Sequence, residues 1–136
     1  MFLAQIAHES EGFRYVCEIY GPTPQQLRYD DGGPLARSLG NAPGDGQKYA
    51  GHGLIQITGK ANHLVVAKYF SIDPEYIVAW LQIPEGACRS AAWFWHTHGC
   101  DAKADAFDIV GCTKIIDGGL NGLQQRTDLY KAISAV

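Results

Sequence analysis

Two glutamates, Glu9 in Ala7-His8-Glu9-Ser10 and Glu18 in Tyr15-Val16-Cys17-Glu18, stand nine residues apart near the start of the chain. Paired carboxylates are what cleavage of a glycosidic bond requires. One is protonated to help the leaving oxygen depart, and the other is ionised to act on the opposite sugar face. Glu11 and Asp30 are alternative carriers of the ionised role. Further along, Gly51-His52-Gly53-Leu54-Ile55-Gln56-Ile57-Thr58-Gly59-Lys60-Ala61-Asn62 forms a polar, glycine-flanked strip. Gln56, Thr58 and Asn62 supply donors and acceptors suited to a groove that holds a sugar chain. His96-x-His98-x-Cys100 contains zinc-ligand residue types, but its spacing fits no common structural zinc motif, so no metal is expected. Trp93, Phe94 and Trp95 could stack on sugars, yet their place in a helix behind two alanines reads as core. His8, beside Glu9, reads as a packed, hydrogen-bonded residue that orients its neighbourhood.

The elements must bring the two carboxylates together. Met1 to about Glu11 reads as a helix with Phe2, Leu3, Ile6 and Ala7 on its apolar face. Nine residues of unbroken helix would turn by about 900° and set Glu9 and Glu18 on opposite faces. A stop at Gly12 lets the chain fold back. Residues 21 to 53 hold most of the turn signals and form a long irregular stretch of the kind that carries function. Leu54 to Thr58 reads as a short strand or extended segment, followed by helix from Asn62 to Tyr69, with Asn62 as its cap. Asp73 is expected to cap a helix reaching Leu81, and Pro84 to open one through Trp95. Ala104 to Ile116 reads as one helix ending at Gly118-Gly119, and Asn121 as the cap of a last helix through Ile133.

A chain of 136 residues is one domain with room for a proper core. Its 46% hydrophobic and 18% charged fractions exclude disorder. A net charge of −3 gives no reason to expect nucleic acid or an anionic membrane as partner. No apolar run approaches the ~20 residues needed to span a bilayer. Met1-Phe2-Leu3-Ala4-Gln5-Ile6 lacks a basic leader and a cleavage site, so no signal peptide is expected. Cys17, Cys88, Cys100 and Cys112 have no paired spacing, and free thiols are the default reading for a cytoplasmic origin.

Four segments, Ala-His-Glu-Ser-x-Gly-Phe-Arg-Tyr, Gly-Asp-Gly-x-Lys-Tyr-x-Gly-x-Gly-Leu-Ile-Gln-Ile-Thr-Gly-Lys-Ala-Asn, Ala-Ala-Trp-Phe-Trp and Ile-Ile-Asp-Gly-Gly-Leu-Asn-Gly, resemble glycoside hydrolase family 19 in its own order, from Phe2 to about Tyr130. The likeness is nearest to the phage and prophage endolysins of that family, relatives of class I chitinases. It implies a mainly α, lysozyme-like single domain over residues 1–136, bilobal, with a central substrate cleft and minimal β structure. It implies inverting hydrolysis of β-1,4 bonds, with Glu9 as general acid, Glu18 as general base and Thr58 helping to hold the attacking water. Gln56, Asn62, Tyr49 and Asp117 fall at sugar-binding positions, and Arg126 at that of an arginine pairing with the acid. The expected substrate is bacterial peptidoglycan, with chitin or non-catalytic glycan binding as the alternatives. The implied protein is a monomer without cofactor, made in the bacterial cytoplasm and acting on the periplasmic wall. The chain departs from the family in reading Ala50-Gly51-His52-Gly53 for Arg-Gly-Arg-Gly, Asp117 for asparagine and Glu11 for a small residue. The family's amino-terminal helical region is also expected to be shortened here.

Overall fold

The first helix, α1 (Phe2–Glu9), ends abruptly. Glu11, Gly12 and Phe13 follow with φ of 50°, 74° and 65°, three left-handed residues in succession. Only glycine takes this conformation freely, so the reversal needs an anchor. Buried Ser10 supplies it. Its hydroxyl donates to the Ile6 carbonyl and accepts from Phe13 N–H, and its carbonyl accepts from Arg14 and Tyr15. The chain therefore doubles back where a stop at Gly12 is expected, and residues 16–18 return alongside residues 51–53.

The computed structural model describes all 136 residues. The mainly α fold with minimal β structure is observed: ten helices and two isolated antiparallel bridges, Cys17 with His52 and His52 with Ile57. Three short helices, α2 (Pro24–Leu27), α3 (Pro34–Ser38) and α4 (Asp45–Lys48), punctuate the loop-rich stretch. Asp30 organises part of it by accepting from the Gly44 and Gly46 amides. Next come α5 (Lys60–Phe70), α6 (Ile77–Gln82) and α7 (Pro84–Thr97). The chain closes with α8 (Cys100–Asp105), α9 (Ile109–Asp117) and α10 (Leu123–Ser134). Ile6, Leu54, Ile55, Ile57, Val66, Ile77, Leu81 and Ala91 form the main core, while Trp95, Cys100 and Cys112 make a smaller one. All four cysteines are free thiols. No helix is long and apolar enough to cross a membrane.

Several local expectations are corrected. Leu54 to Thr58 is a tight turn, because Gln56 takes a left-handed φ of 55° and only Ile57 bridges. Asn62 lies inside α5 and donates to the Thr58 carbonyl; Gly59 caps that helix. Asp73 accepts from Glu75 in a turn, which delays α6 to Ile77. The single helix expected from Ala104 to Ile116 is two, because Phe107 is left-handed and the Asp108 side chain caps α9 through Gly111 N–H. Gly122, not Asn121, caps α10.

Candidate active site

Glu9 sits at the end of α1, which packs against α10. Its Oε1 accepts from Arg126 Nη2 at 2.5 Å, and its Oε2 takes no hydrogen bond from the chain. Arg126 is 1% exposed and spends its other donors on the buried Gln5 side chain (2.6 Å) and the Asn121 carbonyl (3.0 Å). Gln5 in turn donates to Thr113. Asp117 Oδ1 is 4.0 Å from the same guanidinium, while its Oδ2 accepts from the backbone and side chain of Asn121. A planar five-donor group thus fixes the orientation of one carboxylate from α1. His8 donates from Nδ1 to Gln125 at 2.7 Å, and its ring lies over Gly122, where any side chain would collide with it. His8 and Arg126 therefore both tie α1 to α10.

Glu18 is held by a separate set of donors. Its Oε1 accepts from Gln26 Nε2 (2.8 Å) and the Tyr29 hydroxyl (3.3 Å), and its Oε2 from Gly51 N–H (2.9 Å). Gln26 can reach it because its own Oε1 closes a capping box with Thr23 and also accepts from Gly21. Burial, reinforced by the Glu18 charge, pushes the Tyr29 phenol up to about 12, so it stays protonated and donates. A Cβ at Gly51 would meet Gln56 Oε1 at 2.5 Å, so a side chain there would displace the Gln56 amide. Burial lowers the His52 pKa, against the opposing pull of Glu18.

Glu9 and Glu18 line one cavity of about 190 Å³, together with Glu11, Tyr15, Cys17, Ile19 and Gln56. Gln56 also belongs to a second cavity of about 440 Å³, lined by Thr58, Asn62, Trp93, Phe94 and His98 among others. Gln56 is the residue the two hollows share. Beside it stand Glu9 and Glu18 in the smaller hollow and Thr58 and Asn62 in the larger. Thr58 is occupied by donating to the Gln56 carbonyl. Tyr49 is 5% exposed, packed edge-on to His63, and lines neither cavity. Asp117 faces Arg126 and Asn121 and likewise lines neither. Asp30 is taken up by the loop amides, whereas Glu11 stands exposed at the rim.

Trp93 and Phe94 correct the expectation of a wholly core aromatic run. Only Trp95 is buried; the other two are half-buried and form a groove wall, with His98 stacked on Phe94 at 3.8 Å. His96 pairs with Asp101, so it and His98 turn to different partners. Sequence reading missed Gln5, Gln26, Tyr29 and Gly51 as supports. Of these, Gln26 had a signal, the Thr23-Pro24-Gln25-Gln26 capping box.

No family model matches the chain. A glycosyl hydrolase family 19 domain-containing protein of Haemophilus influenzae is 35% identical over 159 aligned positions, taking in 98% of this chain and 76% of that protein. Two solved structures share the fold, chitinase C from Streptomyces griseus HUT6037 and a mutant of chitinase C. Their TM-scores are 0.67 and 0.69, at 21% and 19% identity and over 95% of this chain. The chain spans 55% of the length of each.

Proposed function

The chain belongs to glycosyl hydrolase family 19, and from that premise we propose that it hydrolyses β-1,4 bonds of bacterial peptidoglycan with inversion. The observation that carries this reading is the separate support of two carboxylates that line one cavity. Glu9 is gripped on one oxygen by Arg126, leaving Oε2 free to give a proton to the leaving oxygen. Glu18 is gripped by three donors, which fix its orientation, and it is the group that takes a proton from water. An inverting pair stands ~6.5–9.5 Å apart to admit that water. Gln56, which lines both hollows, and Thr58, which lines the larger, orient water and sugar. Asn62 meets acetamido or hydroxyl groups, and Trp93 and Phe94 offer apolar faces to the rings.

Incubation with purified cell walls, followed by mass spectrometry of the released fragments, tests the substrate. New reducing ends on one sugar type support the reading, and intact walls refute it. Product anomers read early by NMR test inversion. Chitin is the second reading, favoured by the fold shared with chitinase C. Dye release from glycol chitin without wall clearance would select it.

A further inference from the structure

We propose that His63 is a positioning residue for Glu18, acting through His52. The inference rests on Glu18 as the base of the proposed reaction. His63, on α5, is fully buried and His52 is 4% exposed. The His63 Nδ1 lies 2.8 Å from the Gly59 carbonyl, which can only accept, so this nitrogen carries a proton. The neutral ring then presents a bare Nε2 to His52 Nδ1 at 2.9 Å, and His52 must be the donor. One backbone carbonyl thereby sets the tautomer of two rings in sequence. The backbone of His52 forms both bridges of the fold, to Cys17 and to Ile57. Its chain neighbour Gly51 exchanges two bonds with Glu18. Gly51 N–H donates to the carboxylate, and Glu18 N–H donates to the Gly51 carbonyl at 2.7 Å. Fixing the His52 side chain from α5 therefore fixes the amide that aims the base.

The charged and titratable groups around the pair come from three sides. Glu18 and Cys17 face His52 from the returning segment. The Tyr49 ring lies edge-on to His63 at 5.2 Å, with Lys48 and Lys60 over that ring. No carboxylate bonds either imidazole, which separates this pair from a histidine held by an acid. The other three histidines, His8, His96 and His98, lie in more open surroundings and touch neither ring.

A double-mutant cycle with an independent structural readout decides the matter. His63→Leu removes the acceptor for His52, whereas His63→Gln keeps an acceptor near the Nε2 position. The expected result is a kcat about ten- to a hundred-fold lower for His63→Leu, with KM within about twofold and His63→Gln recovering much of the loss. In a Glu18→Gln background, His63→Leu should cost nothing further. An equal fold-loss in both backgrounds overturns the proposal, because a general structural defect ignores the base. The Gly51 amide proton, read by NMR in the same proteins, should move upfield in His63→Leu and stay near its wild-type position in His63→Gln. An unmoved Gly51 amide in His63→Leu also overturns it. If wild type cuts no glycan, the hydrolase reading falls and the amide shift alone judges the histidine pair. If His63→Leu does not fold, His52→Leu probes the same contact from the other end and is held to the same outcomes.

Discussion

Replacing Arg126 with methionine should separate the support of Glu9 from the rest of the fold. The guanidinium is 1% exposed and donates to Glu9, Gln5 and the Asn121 carbonyl. Methionine fills much of the volume and donates nothing. Gln5 Oε1, fully buried, is then left without a partner, at a cost of about 1–3 kcal/mol. The Glu9 side chain is 21% exposed and recovers part of its hydration, so its share is smaller. The total comes to about 3–4 kcal/mol, in the range for breaking one side of a buried ion pair. For 136 residues, an unfolding entropy of about 2.1 cal/mol/K per residue makes each kcal/mol worth roughly 3.5 °C, so Tm should fall by about 10–14 °C. Differential scanning calorimetry at pH 7 measures this, with hydrolysis assayed at 25 °C, well below the transition. Asp117→Asn is the control. Its Oδ1 is 4.0 Å from the guanidinium, and the change should stay within about 1 kcal/mol. A fall under 3 °C for Arg126→Met would show that the guanidinium does not satisfy these acceptors.

Glu9→Gln should lower hydrolysis by about 10²–10⁴-fold with an unchanged circular dichroism spectrum, since the amide keeps the shape but cannot give a proton; retention of a tenth of the rate would remove Glu9 from the role of acid. Burial lowers the His63 pKa to about 4 and the His52 pKa in the same direction, so both are neutral when folded and the unfolded chain binds more protons below about 6.5. The stability they contribute is complete above that pH and is lost as pH falls towards 4. The loss from His63 alone is about 3 kcal/mol at roughly 1.36 kcal/mol per unit. Urea titrations between pH 7 and 4.5 should show a steeper fall for wild type than for His63→Gln, and coincident slopes would contradict the assignment. With four free thiols, reductant should leave Tm unchanged, whereas a native disulfide would reveal itself by a drop equivalent to ~2–4 kcal/mol.

What the sequence made legible was signalled by residues with one dominant role. Pro84 opens α7 and Gly118 closes α9, as their backbone preferences require. The reversal after Glu9 followed from the impossibility of placing two carboxylates on one face across nine helical residues. Errors arose where a polar side chain had two local uses. Asn62 and Asn121 read as caps, but glycines with φ of 90° and 70° take those places and the amides bond elsewhere. The turn at Leu54–Gln56 was hidden because left-handed Gln56 carries no signal in its residue type. Trp93 and Phe94 illustrate another limit: periodicity places a residue on an apolar face, but cannot say whether core or groove lies beyond it. The supports of Glu18 come from separate loops, and only the fold brings Gln26, Tyr29 and Gly51 to one carboxylate.

The pairing of Glu9 with Arg126 spans 117 positions. The supports of Glu18 all come from residues before position 60, yet this one arrives with α10. A proteolytically nicked chain lacking α10 carries both glutamates, but the proposed acid has no guanidinium to orient it. The distance works as an integrity check written into the polypeptide. In the proposed reaction the acid is oriented only while α10 stays docked on α1, so a cut that frees α10 would leave Glu9 unguided even with the rest of the fold intact.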